Sequence, residues 1–371
     1  MKLTFCAPCI FGLEGLCANE LKFLGVENVR AENGRVLFEG DFNTLAKANI
    51  NSRYAERIQI LMGEFEATSY DMLFEGVKSL NWEDFIGISD AFPVKGGCLN
   101  SKLMSVPDCQ KIVKKAVVDR LSSKYMLSWF EETGPVHQIQ FLIRNDNVSV
   151  LLDTSGAGLH KRGYRAESND APIKETLAAA MAELSSVRAN HFVTDPMCGS
   201  GTILIESAMK AMKIAPGIKR YFACEKWNCM PSDSFKEERE LAKSKINTDC
   251  SFLAQGFDID SAALSVARKN AELAGVADKV SFEKRDIRDF TLSDGYQTVI
   301  TNPPYGERLL DVRAAEELYK IMGDRFLRQK GKRYTVITPD DDFEKIFGRK
   351  ADKRRKTYNG TLKCQIYMFY K

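Results

Sequence analysis

From about residue 158 onward, short β-rich runs alternate with helical stretches. FVTDP, FLAQGFDID, VSFEKRDI, YQTVITNPP and KRYTVITPD are the strand candidates, and helical apolar spacing separates most of them. This rhythm constrains the chain more than any other feature. Strands joined through helices run parallel, and a parallel sheet needs helices on both faces. The expected architecture is α/β, a doubly wound, mostly parallel sheet. The final run, TLKCQIYMFYK, alternates with no helix after it and predicts an antiparallel strand closing that sheet.

The first 157 residues follow a different rhythm and read as α+β. KLTFCA is a strand and GLEGLCANELKFLG a helix. VRAENGRVLFEG is a hairpin turning at Asn-Gly, and AERIQILMGEFEA is another strand. SYDMLFEGVKSLNW and PDCQKIVKKAVVDRLSSKY are amphipathic helices, the second with Pro107 at its start. HQIQFLIRNDNVSVLLDTS is a second hairpin turning at Asn145 to Asn147. The polar stretch LHKRGYRAESNDAP marks the boundary near 155–170, and 371 residues suit two or three domains.

No apolar run approaches a membrane span, and the N-terminal stretch lacks the pattern of a signal peptide, so a cytosolic protein without membrane partners is expected. Ten cysteines are scattered over the chain and are expected as reduced thiols. Cys6 and Cys9 have no second CxxC to complete a zinc site, even with Cys224 and Cys229 in view, so no metal is expected. Net charge is +3, divided into −4 for residues 1–160 (16 basic, 20 acidic) and +7 for the rest (37 basic, 30 acidic). The densest basic run is RKADKRRK, 349–356, which on charge alone reads as a solvated turn before the last hairpin.

The strand ends carry the chemistry. In VTDPMCGSGTILIESAMKAM a strand ends at Asp195, a glycine turn follows (Cys198, Gly199, Gly201), and a helix opens near Thr202. Such a turn lets a ligand approach the backbone, and the helix N-terminus favours negative charge. A phosphate loop lacks its lysine here, and a dinucleotide fingerprint fails at Leu204. A ligand with a carboxylate and no phosphate remains, and S-adenosylmethionine is one. Asp258 ends the next strand, where a carboxylate accepts from ribose hydroxyls. It follows Gly201 by 57 residues, which predicts an insertion over roughly 213–248. Asp286, at the third strand end, can accept from an adenine amine, with Ile259 and Ile287 sandwiching the ring.

The fourth strand ends in TNPPYG. Pro304 forces Pro303 to be extended and so fixes the Pro303 carbonyl. Asn302 offers an amide oxygen beside it. Two such acceptors bind the two hydrogens of an exocyclic amine on a planar base, and Tyr305 can stack on that base. Adenine N6, cytosine N4 and guanine N2 all fit this description.

DPMCGSGT, GFDID and TNPPYGERL resemble the class I S-adenosylmethionine-dependent amino-methyltransferases. With LHKRGYR, APIKETLAAA and PGIKRYFACEKW, the chain more narrowly resembles the THUMP-domain RNA methyltransferases, above all the N-terminal half of the bacterial 23S rRNA guanine-N2 methyltransferases. The resemblance implies a ferredoxin-like subdomain over 1–60, a THUMP domain over 61–157 and a Rossmann-like methyltransferase domain over 158–371. It implies structured RNA as partner, rRNA or tRNA. It puts Lys174, Glu175 and Thr176 near the methionine end of the cofactor. Lys95, Lys102, Lys111, Lys114 and Lys115 are candidates for a basic RNA face, and 349–356 for a phosphate contact near the active-site mouth. Two other readings share the fold: an N6-adenine DNA methyltransferase, and a non-catalytic RNA-binding or assembly factor.

Overall fold

The structure, a computed structural model, describes residues 2–165, 173–291, 297–306, 312–327 and 331–370. The N-terminal region contributes β1 (Leu3–Pro8), α1 (Glu14–Phe23), β2 (Glu27–Glu32), β3 (Arg35–Gly40), α2 (Phe42–Asn51), β4 (Gln59–Glu66), α3 (Tyr70–Lys78), β5 (Val94–Leu99), α4 (Val106–Tyr125), β6 (Gln138–Arg144) and β7 (Asn147–Asp153). Its seven strands form one sheet in the order β2-β3-β1-β4-β7-β6-β5. Strand β4 pairs with β1 on one side and β7 on the other, so the sheet runs unbroken past residue 60. Asn145 and Asp146 both take positive φ, the geometry a two-residue hairpin turn requires. Strand β5 has no counterpart among the sequence expectations. It is VKGGCL, and two glycines hide its period. Gly96 is needed because a Cβ there would lie 2.4 Å from the Phe141 ring on β6.

The C-terminal region contributes α5 (Glu175–Leu184), β8 (Phe192–Asp195), α6 (Thr202–Ala211), α7 (Ser234–Ser244), β9 (Leu253–Asp258), α8 (Ser261–Ala274), β10 (Val280–Lys284), β11 (Gln297–Thr301), α9 (Val312–Phe326), β12 (Lys332–Thr338), α10 (Phe343–Phe347), β13 (Lys353–Asn359) and β14 (Leu362–Phe369). Strand order is β10-β9-β8-β11-β12-β14-β13. The first five are parallel, and β14 runs antiparallel to β12, as the terminal alternation predicts. The direction of winding reverses between β8 and β11, and the crevice beyond their C-terminal ends is where such sheets bind ligands.

Only the first half of the basic run 349–356 is a bend before the last hairpin. Its second half opens the edge strand β13, paired with β14 from Lys353↔Met368 to Asn359↔Leu362. Charged side chains on an edge strand keep it from pairing further, and they mask its alternation in the sequence.

The expected insertion has a structural role. Its helix α7 packs on α2, where the Ser234 hydroxyl donates to Asn43 (2.6 Å) and Asn51 donates to Glu238 (2.7 Å). The Trp227 indole donates to the Val136 carbonyl and stacks on His137 with ring centroids 4.3 Å apart. Arg220 donates to the carbonyls of Ala157, Gly158 and Lys161. Segment 213–248 is thus a clamp between the two halves, and one apolar cluster runs through both. Among the described residues no helix is long and apolar enough to cross a membrane.

Candidate active site

At the end of β8 the chain turns through Gly199 (φ +51°) and Gly201 (φ +78°) into α6. Gly201 admits no side chain, since a Cβ would sit 2.8 Å from the Phe282 ring. Asp195 is buried, and its Oδ1 accepts from the Met197 amide at 3.1 Å. Burial, helped by the nearby charge of Asp258, pushes its carboxyl up to about 7. The Cys198 side chain is buried against Gly256, and burial raises its thiol far above the usual range. Its amide donates to the Phe257 carbonyl (2.9 Å), so the residue fastens the turn to β9.

Asp258 completes that fastening. One oxygen accepts from the Gly199 amide (2.8 Å) and the other from the Asp260 amide (2.9 Å). A carboxylate carries about four acceptor sites, so two stay available. Asp286 caps the short turn Ile287–Asp289, accepting from the Arg288 amide (2.8 Å) and its guanidinium (3.0 Å). Ile259 projects at the β9 tip, 64% exposed, whereas Ile287 is buried in the apolar cluster with Phe257, Phe290 and Val299.

The residues at the start of α5 divide. Lys174 and Thr176 turn toward the N-terminal region, both donating to Glu56 (2.8 and 2.5 Å), with His160 3.5 Å away. Burial alone would raise the Glu56 carboxyl, but the nearby His160 imidazole and the bonds from Lys174 and Thr176 together hold it near 2. Glu175 turns the other way, 3.4 Å from Arg165, which also donates to the Thr202 hydroxyl (2.9 Å). The Oε2 of Glu175 and the Nε of Arg165 are both buried and have no partner among the described residues. A buried carboxyl and a half-buried guanidinium, each with an unused buried polar atom, thus lie beside the glycine turn. Arg165 belongs to LHKRGYR, yet only its fold partners mark it as a candidate site residue.

At the end of β11, Asn302 is half-buried and Pro303 buried. The Tyr305 hydroxyl donates to Oδ1 of Asn302 and accepts from Nδ2 of Asn359 at 3.2 Å. The Tyr305 ring packs against the central apolar cluster. Its hydroxyl and much of its ring are therefore engaged within the protein. Asn359 is a partner no local pattern points to. It closes the β13–β14 turn 54 residues downstream. The residues after Gly306 in TNPPYGERL lie outside the described residues, as do Ala171 and Pro172 of APIKETLAAA.

The candidate RNA-facing lysines are only partly free. Lys111, Lys114 and Lys115 line a shallow cleft of about 540 Å³ on α4 and β5. Lys114 is paired with Glu132 and lies 3.5 Å above the Phe92 ring. Lys111 lies 3.7 Å from Asp108. Lys95 and Lys102 are exposed elsewhere on the same half. In the basic run, Arg349 pairs with Asp352, Arg354 with Glu344, and Arg355 donates to the Gly12 carbonyl. All ten cysteines are free thiols, and no cluster of metal-ligating side chains occurs among the described residues.

Residues 4–59 match the RlmL ferredoxin-like domain and residues 67–153 the THUMP domain. Residues 162–368 match the RMKL-like methyltransferase domain. The chain is 40% identical over its whole length to the Bacillus subtilis (strain 168) protein named "Putative RNA methyltransferase YpsC", covering 96% of that protein. It is 32% identical to the Shewanella frigidimarina (strain NCIMB 400) ribosomal RNA large subunit methyltransferase K/L, but spans only 52% of that longer relative. The solved structure of "SMU.472, a putative methyltransferase complexed with SAH" superposes with a TM-score of 0.94 at 41% identity, over 100% of this chain and 98% of that one. Fold, matched domains and full-length identity agree, and the chain belongs to the RMKL-like methyltransferase family, with a ferredoxin-like and THUMP region ahead of its catalytic domain.

Proposed function

We propose that the protein methylates an exocyclic amine of a base in structured RNA, most specifically guanine N2 of 23S rRNA, with S-adenosylmethionine as donor. What supports this is the placement of Asn302 and Pro303 at the tip of β11, the strand next to β8 and its glycine turn, at the switch point of the sheet. The THUMP domain and the RNA-methyltransferase names of two relatives favour RNA as the polymer.

The residues present fit the cofactor. An amino-acid zwitterion needs one anion and one cation, and Glu175 and Arg165 each offer an unused buried atom beside Thr202. Asp258 has acceptor capacity left for ribose hydroxyls, and Ile259 is open at the strand tip where the adenine would lie. Bound there, S-adenosylmethionine supplies a methyl group on a sulfonium and departs as S-adenosylhomocysteine.

The rest of the chemistry belongs to this chain. An exocyclic base amine is a weak nucleophile because its lone pair is delocalised into the ring. Asn302 and Pro303, accepting from its two N–H groups, favour the tetrahedral nitrogen that forms during attack. Oδ1 of Asn302 has two lone pairs, and the Tyr305 hydroxyl takes one of them. That bond fixes the amide plane and leaves the second lone pair for substrate. Catalysis is then positioning plus electrostatics, and no strong base is needed, since the nitrogen sheds a proton to water once alkylated.

The test is mass spectrometry of nucleosides from RNA and DNA of strains with and without the gene. Loss of N2-methylguanosine from 23S rRNA is the expected result. Loss of a methylated base from tRNA would redirect the substrate. Loss of N6-methyladenine from DNA would overturn the RNA reading, and no change in any nucleoside would favour a non-catalytic role.

A further inference from the structure

The turn of the β13–β14 hairpin lies at the same end of the sheet as Asn302, because β14 runs antiparallel to β12 and begins where the parallel strands end. There it meets the loop between β1 and α1 of the N-terminal region. Arg355 donates to the Gly12 carbonyl at 2.7 Å, and the backbones pack so closely that a Cβ on Gly12 would lie 2.0 Å from the Lys356 carbonyl oxygen. Between the two lies a cleft of about 300 Å³, lined among others by Phe11, Tyr358, Glu56 and Lys174. That volume suits a single nucleobase. Neither Asn302 nor Tyr305 lines it, so it is not the pocket of the reacting base.

Phe11 and Tyr358 remain 48% and 41% exposed, although their ring centroids are 6.1 Å apart in an edge-to-face pair. The edge-to-face arrangement leaves ring surface uncovered at the mouth of the cleft. On the sheet face that carries Tyr358, Lys356 lies two residues before it and Lys363 directly across from it. Both lysines are exposed and form no ion pair among the described residues. Among the described residues, the only charges lining the cleft itself, Glu56 and Lys174, neutralise one another at 2.8 Å and present both acceptor and donor character.

We infer that this cleft is a second nucleotide subsite: an unpaired RNA base next to the modified one stacks on Tyr358 and Phe11, with its phosphates against Lys356 and Lys363. Aromatic rings interleaved with free cations are the recurring means of holding single-stranded nucleic acid without reading its sequence. The subsite explains how a base already pulled from its helix could be held in register, because Asn359, next to Tyr358, bonds to the Tyr305 hydroxyl. The inference rests on the proposal that the substrate is RNA.

Two measurements test it separately. A short unpaired oligoribonucleotide carrying 2-aminopurine is quenched on stacking. Wild-type protein should quench it, Tyr358→Phe should quench it too, and the double variant Phe11→Ala/Tyr358→Ala should not. Methyl transfer from labelled S-adenosylmethionine to RNA from the deletion strain should show KM for RNA raised about tenfold or more in the double variant, a size set by the loss of one stacked base. The maximal rate should stay within about twofold, with cofactor binding unchanged. Equal quenching by wild type and double variant overturns the subsite, as does a fall in maximal rate at constant KM, which would make the aromatic pair a brace for the hairpin. Quenching that follows the rings while no RNA is ever methylated would leave the subsite standing and sink the proposed activity instead.

Discussion

On the β8–β9 side of the crevice the three acids at the strand ends are tied by backbone amides close to them in the fold. Asp195 accepts from the amide two residues on, Asp286 from the amide two residues on, and Asp258 binds the glycine turn of the adjacent strand. On the β11 side the ties reach further. Asn302 is held by Tyr305, and Tyr305 in turn by Asn359 on a hairpin that the N-terminal region also grips. The first side is a rigid, locally built cradle suited to a cofactor of constant shape. The second couples the proposed reacting end to a surface that a polymer can touch. Binding and chemistry should therefore respond differently to substitution on the two sides.

The sharpest way to break this comparison is Asn302→Ala. It removes the acceptor proposed to act on the substrate amine and leaves the β8–β9 cradle intact. Maximal methyl transfer should fall by about 10³-fold, the size seen when one preorganised transition-state hydrogen bond is lost. The dissociation constant for S-adenosylmethionine, read by calorimetry, should stay within about twofold. Loss of cofactor binding instead would show that the two sides are not separable, and retained transfer would remove Asn302 from the chemistry.

The cradle has its own signature in pH. Burial raises the Asp195 carboxyl from the usual range near 3.8 to about 7. The folded protein therefore holds a proton that the unfolded chain releases. This group's contribution to stability is complete below about pH 4 and is lost as pH rises through about 7. Asp195→Asn keeps an uncharged side chain at all pH values and should remove that slope. Thermal unfolding of wild type and variant between pH 4 and 8 measures it, with an expected difference of about 4 kcal/mol by pH 8. Parallel curves would show that Asp195 is ionised in the folded cradle.

The same contrast decides what could be read in the sequence. The glycine turn and the acids at strand tips are visible because each is contiguous with a strand and its turn, and NPPY is visible because two prolines end an apolar run. The terminal antiparallel strand follows from alternation alone. Strand β13 escapes because an edge strand is kept soluble by the basic residues that read as a turn. Strand β5 escapes because its glycines make room for Phe141 on a neighbour distant in sequence. The clamp formed by 213–248, the Arg165–Glu175 pair and the Asn359 bond are contacts between segments far apart along the chain, which no local period encodes. Lys174 and Thr176 show the converse. A segment can be identified as near the site while two of its three polar side chains turn toward Glu56.

The long-range ties on the β11 side predict a smaller effect with a distinctive form. Removing the Asn359 amide leaves the Tyr305 hydroxyl free to swing, and Asn302 then loses its fixed orientation for part of the time. Asn359→Ala should lower the maximal rate about tenfold, near 1.4 kcal/mol, with cofactor and RNA binding close to wild type. Tyr305→Phe should cost a similar factor, because it deletes the hydroxyl through which Asn359 acts. The double variant should be little worse than Tyr305→Phe alone, since residues in one hydrogen-bonded chain do not add. Fully additive losses would mean that Asn359 supports the hairpin and not Asn302. If Tyr305→Phe were silent while Tyr305→Ala abolished transfer, the ring would be the functional part of Tyr305, stacking on the base, and the two sides of the crevice would be alike in being locally built.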